Sequence, residues 1–280
     1  MTGDFRLMGV VNVTPDSFSD GGRFLEPSAA VAHGVRLAGE GAAILDIGGE
    51  STRPGADSVP ADEELRRVLP VIEELARELQ PSRARLSIDT SKAAVARAAL
   101  DAGASYVNDV TAFRGDPAMA GLVAERGVEC CLMHMLGEPR TMQDDPHYDD
   151  VVSDVKAFLE RRLAVAVGEG VPEERVTLDP GIGFGKTLPQ NLELLRRLDE
   201  IAAIGRPVLV GTSRKSFLGK LTGREVDDRL AGTIATNVLA YARGASVFRV
   251  HDVAPLRDAL TVAAATVAAP WTSPTAMTRS

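Results

Sequence analysis

Residues 176–210 read VTLDPGIGFGKTLPQNLELLRRLDEIAAIGRPVLV, which is one complete strand, helix and strand unit. A β-branched run comes first, a glycine-rich turn follows, and apolar residues at helical spacing lead into a second β-branched run. A helix between two strands returns the chain to the same end of the sheet, so the unit predicts neighbouring parallel strands. The number of times that this unit recurs along the chain then decides the fold.

The same alternation recurs through the chain and gives eight candidate strands. They are LMGVVNV from Leu7, AILDIGG from Ala43, RLSIDT from Arg85, YVNDV from Tyr106, ECCLMH from Glu129, VTLDPG from Val176, PVLVGTS from Pro207 and SVFRVHD from Ser246. Eight such units close naturally into a barrel, whereas five or six favour an open doubly wound sheet. We therefore predict an α/β protein with a single (β/α)8 TIM-barrel domain over residues 1–269 and a frayed tail over residues 270–280.

Two of the predicted helices have clear apolar stripes, ADEELRRVLPVIEELARELQ from Ala61 and LPQNLELLRRLDEIAAI from Leu188. We expect Pro70 to kink or split the first of them. Long segments rich in Gly, Pro, Asp and Ser follow strands one, two and five. These segments, TPDSFSDGGRF from Thr14, ESTRPGADSVP from Glu50 and MLGEPRTMQDDPHYDD from Met135, should lie over the carboxyl-terminal mouth of the barrel.

Composition excludes several classes of function. The 280 residues are 45% hydrophobic and 25% charged, which is ordinary for a globular protein, and the net charge of −8 argues against broad binding to nucleic acid or anionic lipid. No apolar run is long enough to span a bilayer, and the N-terminus lacks the apolar core of a signal peptide. The two cysteines, Cys130 and Cys131, are adjacent in a predicted strand and so point to opposite faces. We expect a cytoplasmic protein without a disulfide framework.

Every predicted strand ends in polar residues, and in this architecture the catalytic groups come from those ends. The residues are Asn12, Glu50 to Arg53, Asp89, Asn108 and Asp109, His134, Asp179, Ser213 to Lys215, and Arg249, His251 and Asp252. Taken singly, each has a structural alternative, since an acid or amide at a strand end can cap the next helix or turn. The whole set at one mouth favours a site, because buried polar groups cost stability unless they have partners.

The run DPGIGFGKT from Asp179 resembles a phosphate-binding P-loop but lacks one of its glycines. Pro180 stands where that motif requires glycine, and it has no N–H for a phosphate. The evenly spaced glycines also fail the dinucleotide-binding pattern. We interpret the run as a tight turn that exposes Asp179 and Phe184. A zinc site at His134 with the two cysteines is disfavoured too, since four histidines and no second cluster cannot supply the ligands.

The chemistry of the strand ends favours a phosphorylated heterocycle as ligand. Asp179 can accept two N–H bonds from an aminopyrimidine edge, and Asn108 offers both a donor and an acceptor. Arg249 and His251, with Arg53, suit phosphate oxygens. Asn12 offers a neutral oxygen to a hydrated Mg²⁺ held chiefly by phosphates.

The motifs MGVVNVTPDSFSDGG, DIGGESTRPG, SIDTSK, NDV, LMHM, LDPGIGFGK, GTSRKSFLG and RVHDV resemble those of the dihydropteroate synthase family, in that order, from about Met8 to His251. The resemblance implies a transferase of folate synthesis. It would join the amine of p-aminobenzoate to 6-hydroxymethyl-7,8-dihydropterin pyrophosphate and release pyrophosphate. It also implies Mg²⁺ as cofactor, a homodimer, and sulfonamides as inhibitors. The late helices from Asp227 and Ala254 are apolar enough to allow such a dimer.

The resemblance also assigns site residues by matching motif. The pterin would be surrounded by Asp89, Asn108, Val110, Met133, Asp179 and Lys215. Pyrophosphate with Mg²⁺ would be held by Asn12, Thr52, Arg249 and His251, with Asn12 on the metal. The p-aminobenzoate pocket would be framed by Arg53, Pro54, Phe184, Lys215 and Ser216, and Gly183 joins the substrate-binding set. The catalytic group would be Asp89, Asp179, Lys215, Arg249 and His251.

Two alternatives remain open at this point. A pterin-dependent methyltransferase would share the barrel and the Asp and Asn contacts with pterin, but it would not need STRPG, SRKS and RVHD together. A paralogue that binds pterin without turnover could retain every ligand-binding residue and differ only in its loops. An assay of both reaction products separates these alternatives from a synthase.

Overall fold

The computed structural model describes residues 5–14, 27–51, 55–79, 84–137 and 141–268. The predicted tail, most of the loop from Thr14, and Thr52, Arg53 and Pro54 lie outside the described residues. Eight strands alternate with helices along the described chain. The strands are β1 Arg6–Asn12, β2 Ile44–Gly48, β3 Arg85–Asp89, β4 Tyr106–Asp109, β5 Glu129–Met133, β6 Val176–Asp179, β7 Leu209–Val210 and β8 Val247–Val250.

The strands form one parallel sheet whose order is β6-β5-β4-β3-β2-β1-β8-β7. A parallel bridge between Leu178 and Val208 joins β6 to the start of β7, the strands at the two ends of this order. The Leu178 amide donates to the Pro207 carbonyl at 2.9 Å. The sheet therefore closes on itself. The prediction of a single-domain (β/α)8 barrel is confirmed, with β6 and β7 as its most sparsely paired neighbours.

Helices surround the sheet and follow the strands in sequence. They are α1 Pro27–Gly39, α2 Ala61–Glu78, α3 Ala93–Asp101, α4 Met119–Arg126, α5 Val151–Gly168, α6 Leu188–Arg196, α7 Leu198–Ala202, α8 Ser216–Thr222, α9 Leu230–Ala242 and α10 Val253–Ala268. Among the helices of the described ranges, none is long and apolar enough to cross a membrane.

The two helices singled out in the sequence are not interrupted where we predicted. Helix α2 runs unbroken through Pro70, so the expected split is absent. The stretch from Leu188 is instead two helices, because Arg197 leaves helical geometry with φ −112° and ψ 30°. Its guanidinium donates to Asp150 at the start of α5 at 2.7 Å and to Glu200 of α7 at 2.6 Å. These ion pairs hold the break where no Gly or Pro marks it.

Side chains alternate strictly between the inside of the barrel and the layer beneath the helices. Cys131 lies in the interior, whereas Cys130 packs in the outer core, as the strand geometry predicts. The interior apolar layer consists of Met8, Ile44, Tyr106, Cys131, Leu209 and Val247. Because inward residues recur every second position, residues two or four places further along each strand face the mouth. The fold thus directs alternate strand-end residues into one ring.

Candidate active site

The floor of the mouth is organised by Asp46, a fully buried carboxylate in the middle of β2. It accepts hydrogen bonds from Ser87 Oγ at 2.6 Å, Asn108 Nδ2 at 2.9 Å and Arg249 Nε at 2.6 Å. Strands β3, β4 and β8 are thereby joined to β2 through one side chain, and Asn108 and Arg249 are held in fixed orientations. The sequence analysis missed Asp46 because it does not end a strand. The one available signal was an acid inside the apolar run AILDIGG.

Arg249 lies between two carboxylates of the floor. Its Nη2 donates to Asp89 at 2.8 Å while its Nε donates to Asp46. Burial lowers the pKa of Arg249, but the two carboxylates outweigh that effect and hold it above its ordinary value. Burial raises the pKa of Asp89; Arg249 opposes this rise and Asp46 adds to it. The structure therefore brings together Asp89, Asn108 and Arg249, three of the predicted site residues.

A second electrostatic interaction of the floor is the attraction between Asp179 at the end of β6 and Lys215 beyond β7. Burial raises the pKa of Asp179, and Lys215 opposes that rise. Burial lowers the pKa of Lys215 to about 8, which Asp179 opposes and Arg249 reinforces. The Lys215 ammonium donates to the Ile182 carbonyl and lies 4.4 Å from the centre of the Phe184 ring. The ammonium is thus in contact with a carbonyl and an aromatic face, and the Asp179 carboxylate attracts its charge.

Gly183 makes room for Lys215 in this arrangement. Its φ of +86° is a conformation that side chains other than hydrogen disfavour, and a Cβ there would lie 3.0 Å from Lys215 Cδ. The Asp179 carboxylate also accepts the Gly181 amide at 2.7 Å, which fixes the start of the turn. The predicted tight turn is confirmed, and it brings Phe184 to the site. The expectation that the turn exposes Asp179 is wrong, since this carboxylate is buried among the strand ends.

His251 directly follows β8 and contacts the segment that follows β7. Ser213 Oγ lies 2.9 Å from His251 Nδ1 and accepts the His251 amide at 3.3 Å. The neighbouring Arg214 has φ +59° and pairs with Asp252 at 2.8 Å, which fixes the segment that leads to Ser216 at the start of α8. The structure therefore gives His251 a defined ring orientation and Asp252 a structural partner.

An apolar wall adjoins the ionic floor. Val110 and Met133, both predicted, pack with Met135 and Met142 in one buried cluster, and Phe184 packs against it. Met135 and Met142 were missed, because a methionine in a loop carries no spacing signal that distinguishes wall from packing. The wall gives a flat ligand an apolar surface beside the carboxylates.

Asp109 stabilises a turn. This is the structural alternative that the sequence analysis left open for every acid at a strand end. Its carboxylate accepts from the Thr111 amide at 2.7 Å, from Thr111 Oγ1 at 2.7 Å and from the Phe113 amide at 2.9 Å. These bonds stabilise a turn in which Ala112 and Phe113 have φ of +52° and +61°. Asp109 therefore faces away from the mouth, whereas its neighbour Asn108 faces into the barrel.

The stem of the loop after β2 is held by a cluster of charged residues. Glu50 Oε1 accepts the Val59 amide at 3.0 Å and so joins the two ends of the loop. Lys92 donates to Glu50 and, at 2.7 Å, to Glu64, which is fully buried. Burial lowers the pKa of Lys92, but the hydrogen bonds that it donates to both carboxylates outweigh that effect and raise it. Thr52, Arg53 and Pro54, which this stem carries, lie outside the described residues.

A family profile described as pterin binding enzyme matches residues 8–251. The chain belongs to the pterin binding enzyme family. This pterin binding enzyme is 44% identical over 263 residues to a dihydropteroate synthase of Escherichia coli, a match that covers 94% of this chain and 92% of that protein. It is 49% identical over 259 residues to a probable bifunctional folylpolyglutamate synthase/dihydropteroate synthase of Haloferax volcanii; the match covers 92% of this chain and 30% of that protein.

Solved structures give the same relationship in three dimensions. A Xanthomonas albilineans dihydropteroate synthase with 4-aminobenzoic acid superposes with a TM-score of 0.89 at 53% identity, covering 95% of this chain and 94% of that one. A Yersinia pestis dihydropteroate synthase in a sulfonamide drug complex superposes with a TM-score of 0.90 at 43% identity, covering 95% of each chain. The pterin binding enzyme is therefore a transferase, and its function is that of a dihydropteroate synthase.

Proposed function

We propose that the barrel mouth carries out the dihydropteroate synthase reaction with the ionic floor as the pterin site. The enzyme condenses 6-hydroxymethyl-7,8-dihydropterin pyrophosphate with p-aminobenzoate to give 7,8-dihydropteroate and pyrophosphate. The observation that carries the residue assignment is the convergence of Asp89, Asn108, Asp179, Lys215 and Arg249 at one mouth. An aminopyrimidine edge presents adjacent N–H groups, and buried carboxylates are suited to accept them.

Asp179 and Asn108 are the direct recognition groups of this proposal. Asp179 keeps free acceptor capacity beyond its bond from Gly181, while the side-chain oxygen of Asn108 remains available because its Nδ2 is directed to Asp46. Met133 and Val110 supply the apolar surface for the ring. Lys215 adjoins Asp179 and offers a cation to a ring nitrogen or carbonyl.

Arg249 and His251 are proposed to bind the pyrophosphate leaving group. Arg249 stays charged between Asp46 and Asp89, and its Nη1 points to no described acceptor. Ser213 orients the ring of His251. As charge develops on the departing oxygen, these preorganised donors stabilise it more than the ground state, which lowers the barrier.

Mg²⁺ is proposed as the cofactor that neutralises pyrophosphate charge. Asn12 ends β1 at the mouth, partly buried, and would offer it one neutral oxygen. Within the described ranges no group of three His, Cys, Asp or Glu residues could hold a metal by itself. A single neutral oxygen from Asn12 suits a magnesium ion that takes most of its ligands from phosphate and water. This is the usual way in which magnesium binds with phosphorylated substrates.

The second substrate is proposed to lie over the turn at Phe184. Phe184 and Lys215 would form one side of the pocket and Ser216 another. Thr52, Arg53 and Pro54, in the loop after β2, would contribute the rest, as the resemblance of their motif implies. The arylamine nitrogen is neutral at pH 7 and can attack the exocyclic methylene carbon directly. Asp89 and Asp179 would favour cationic character on the pterin as pyrophosphate departs.

Sulfonamides are proposed as inhibitors that occupy the p-aminobenzoate pocket. Support comes from the Yersinia pestis structure, which is a sulfonamide drug complex at 43% identity. Competition with p-aminobenzoate should raise its apparent KM and leave kcat unchanged. An undiminished rate at saturating sulfonamide would contradict the proposal.

A homodimer and a cytoplasmic location complete the proposal. Helices α8 to α10 and their connections expose Leu221, Val226, Leu230, Leu239, Val262 and Val267. Apolar side chains concentrated on one side of a barrel support burial against a second copy. Sedimentation equilibrium at micromolar protein should give twice the monomer mass. The two thiols are both free and buried, which supports a reducing compartment.

One assay separates the synthase from the two alternatives. The protein is incubated with the pterin pyrophosphate, p-aminobenzoate and Mg²⁺, and pyrophosphate and dihydropteroate are followed together. We expect equal amounts of both products. A pterin-dependent methyltransferase or a non-catalytic pterin-binding paralogue would release neither, and that result would overturn the proposal.

A further inference from the structure

The lysine of the run GFGKT points into the protein rather than towards a ligand. Lys186 is 3% exposed, and its Nζ lies 2.9 Å from each of three polar atoms: the Gly181 carbonyl, the Phe184 carbonyl and His134 Nδ1. An ammonium group donates to all three, and a neutral amine donates to the carbonyls and accepts from the imidazole. The hydrogen-bonding capacity of the nitrogen is used up in either state, so none remains for substrate.

The turn that surrounds this amine depends on side chains for its shape. Gly181, Gly183 and Gly185 have φ of +66°, +86° and +61°, so the segment lies outside both helix and strand geometry. Asn191 Oδ1 accepts the Gly183 amide at 2.6 Å, and the Tyr148 hydroxyl donates to the Gly185 carbonyl at 2.7 Å. Side chains from neighbouring helices and loops thus fix the outside of the turn, and Lys186 joins two of its carbonyls from within.

Burying this amine is costly, and no carboxylate bonds to it directly among the described residues. Burial lowers the pKa of Lys186 well below its ordinary value, against the attraction of Asp179. Burial and the lysine together lower the pKa of His134 to about 2, so the imidazole is neutral at physiological pH. An apolar side chain at this position would leave two carbonyls and the His134 imidazole without this partner, so the amine holds the turn rather than only filling space.

We propose that Lys186 is a positioning residue that acts through Phe184 and Lys215. The carbonyls that it holds, at Gly181 and Phe184, flank the Ile182 carbonyl that receives the Lys215 ammonium. The same turn sets the Phe184 ring 4.4 Å from Lys215 Nζ. Lys186 therefore determines where the wall of the second-substrate pocket stands relative to Asp179. The proposal rests on the assignment of that pocket to p-aminobenzoate.

Steady-state kinetics of Lys186→Met test the proposal, because Met keeps the length of the side chain and removes its donors. We expect the KM for p-aminobenzoate to rise about tenfold, since misplacing a pocket wall by a fraction of an ångström has effects of this size, with a smaller change in KM for the pterin pyrophosphate. Lys220→Met makes the same change at an exposed position on α8 and should leave both constants unchanged.

A folded Lys186→Met enzyme with wild-type KM for p-aminobenzoate would overturn the proposal, whatever its melting temperature. If that variant does not fold, His134→Leu removes one of the three partners of Lys186 and decides instead: a selective rise in the same KM supports the proposal, and an unchanged KM overturns it. Failure of the proposed function is distinguishable, because it would show as wild-type enzyme that forms no dihydropteroate.

Discussion

Replacement of Asp46 by alanine tests whether the site depends on a buried carboxylate that ends no strand. The change leaves three donors without their acceptor, on Ser87, Asn108 and Arg249. An unpaired buried neutral donor costs about 1–3 kcal/mol, and removal of one partner from a buried ion pair costs about 3–5 kcal/mol. Arg249 retains Asp89 and is partly exposed to water, so we expect a decrease of about 3 kcal/mol in the free energy of unfolding.

Asp46→Asn separates charge from hydrogen bonding at the same position. Its amide oxygen can face Arg249 and Asn108, which both bond to Oδ2 of Asp46, while the Ser87 hydroxyl turns to accept from the amide nitrogen. The number of hydrogen bonds is then unchanged, and only the negative charge of the carboxylate is lost. We expect a decrease of about 1–2 kcal/mol, with the pKa of Asp89 lowered because a neighbouring negative charge is gone.

Urea denaturation with an unchanged m value measures both effects. The matched control is Asp101→Ala, which removes an exposed ion pair with Arg126 at 2.5 Å and should cost less than about 1 kcal/mol. The catalytic efficiency of Asp46→Ala, measured with saturating p-aminobenzoate, should fall as well because Asn108 and Arg249 lose their orientation. If Asp46→Ala were no more destabilising than Asp101→Ala, Asp46 would not organise the floor.

Three further outcomes follow from the same geometry. Arg249→Ala should lower turnover by on the order of 10²-fold, as expected for loss of a donor to developing charge, and a near-unchanged rate would move that role elsewhere. Because Lys215 is charged below its pKa of about 8, kcat/KM should fall as pH rises through that value, and this limb should be missing from Lys215→Met. Gly181→Ala should lower the melting temperature strongly, since its Cβ would lie 1.9 Å from the His134 carbonyl oxygen at φ +66°, whereas Gly168→Ala, in a helix with open space around it, should not.

Much of the fold and the site was predictable, because in a barrel the place of a residue along its strand decides whether it lies at the mouth. Strand ends at Asp89, Asn108, Asp179 and Arg249 were found from the run of apolar residues before each of them. Because the strands are parallel, all of these ends lie at the carboxyl-terminal mouth of the barrel. The roles in substrate binding came from the resemblance of the motifs, and those roles remain predictions.

Other features could not be read from local pattern. The break at Arg197 follows from ion pairs with Asp150 and Glu200, since its sequence context is that of a continuous helix. Lys186 was visible only as the lysine of a run that does not match the P-loop motif. Its inward direction depends on carbonyls of its own turn and on His134, which follows β5. Met142 joins the apolar wall through a loop whose length and composition do not specify its path.

The sequence by itself determined that eight βα units form a barrel and that polar residues crowd its mouth, because hydrophobic period and turn chemistry are local properties. Only the tertiary structure decided which of those residues act together. Asp46 and Arg249 are 203 positions apart, yet their side chains meet at 2.6 Å inside the barrel, across β1, which separates β2 from β8. Closure fixes such contacts, because it places the first and last strands side by side and leaves each inward carboxylate a definite partner.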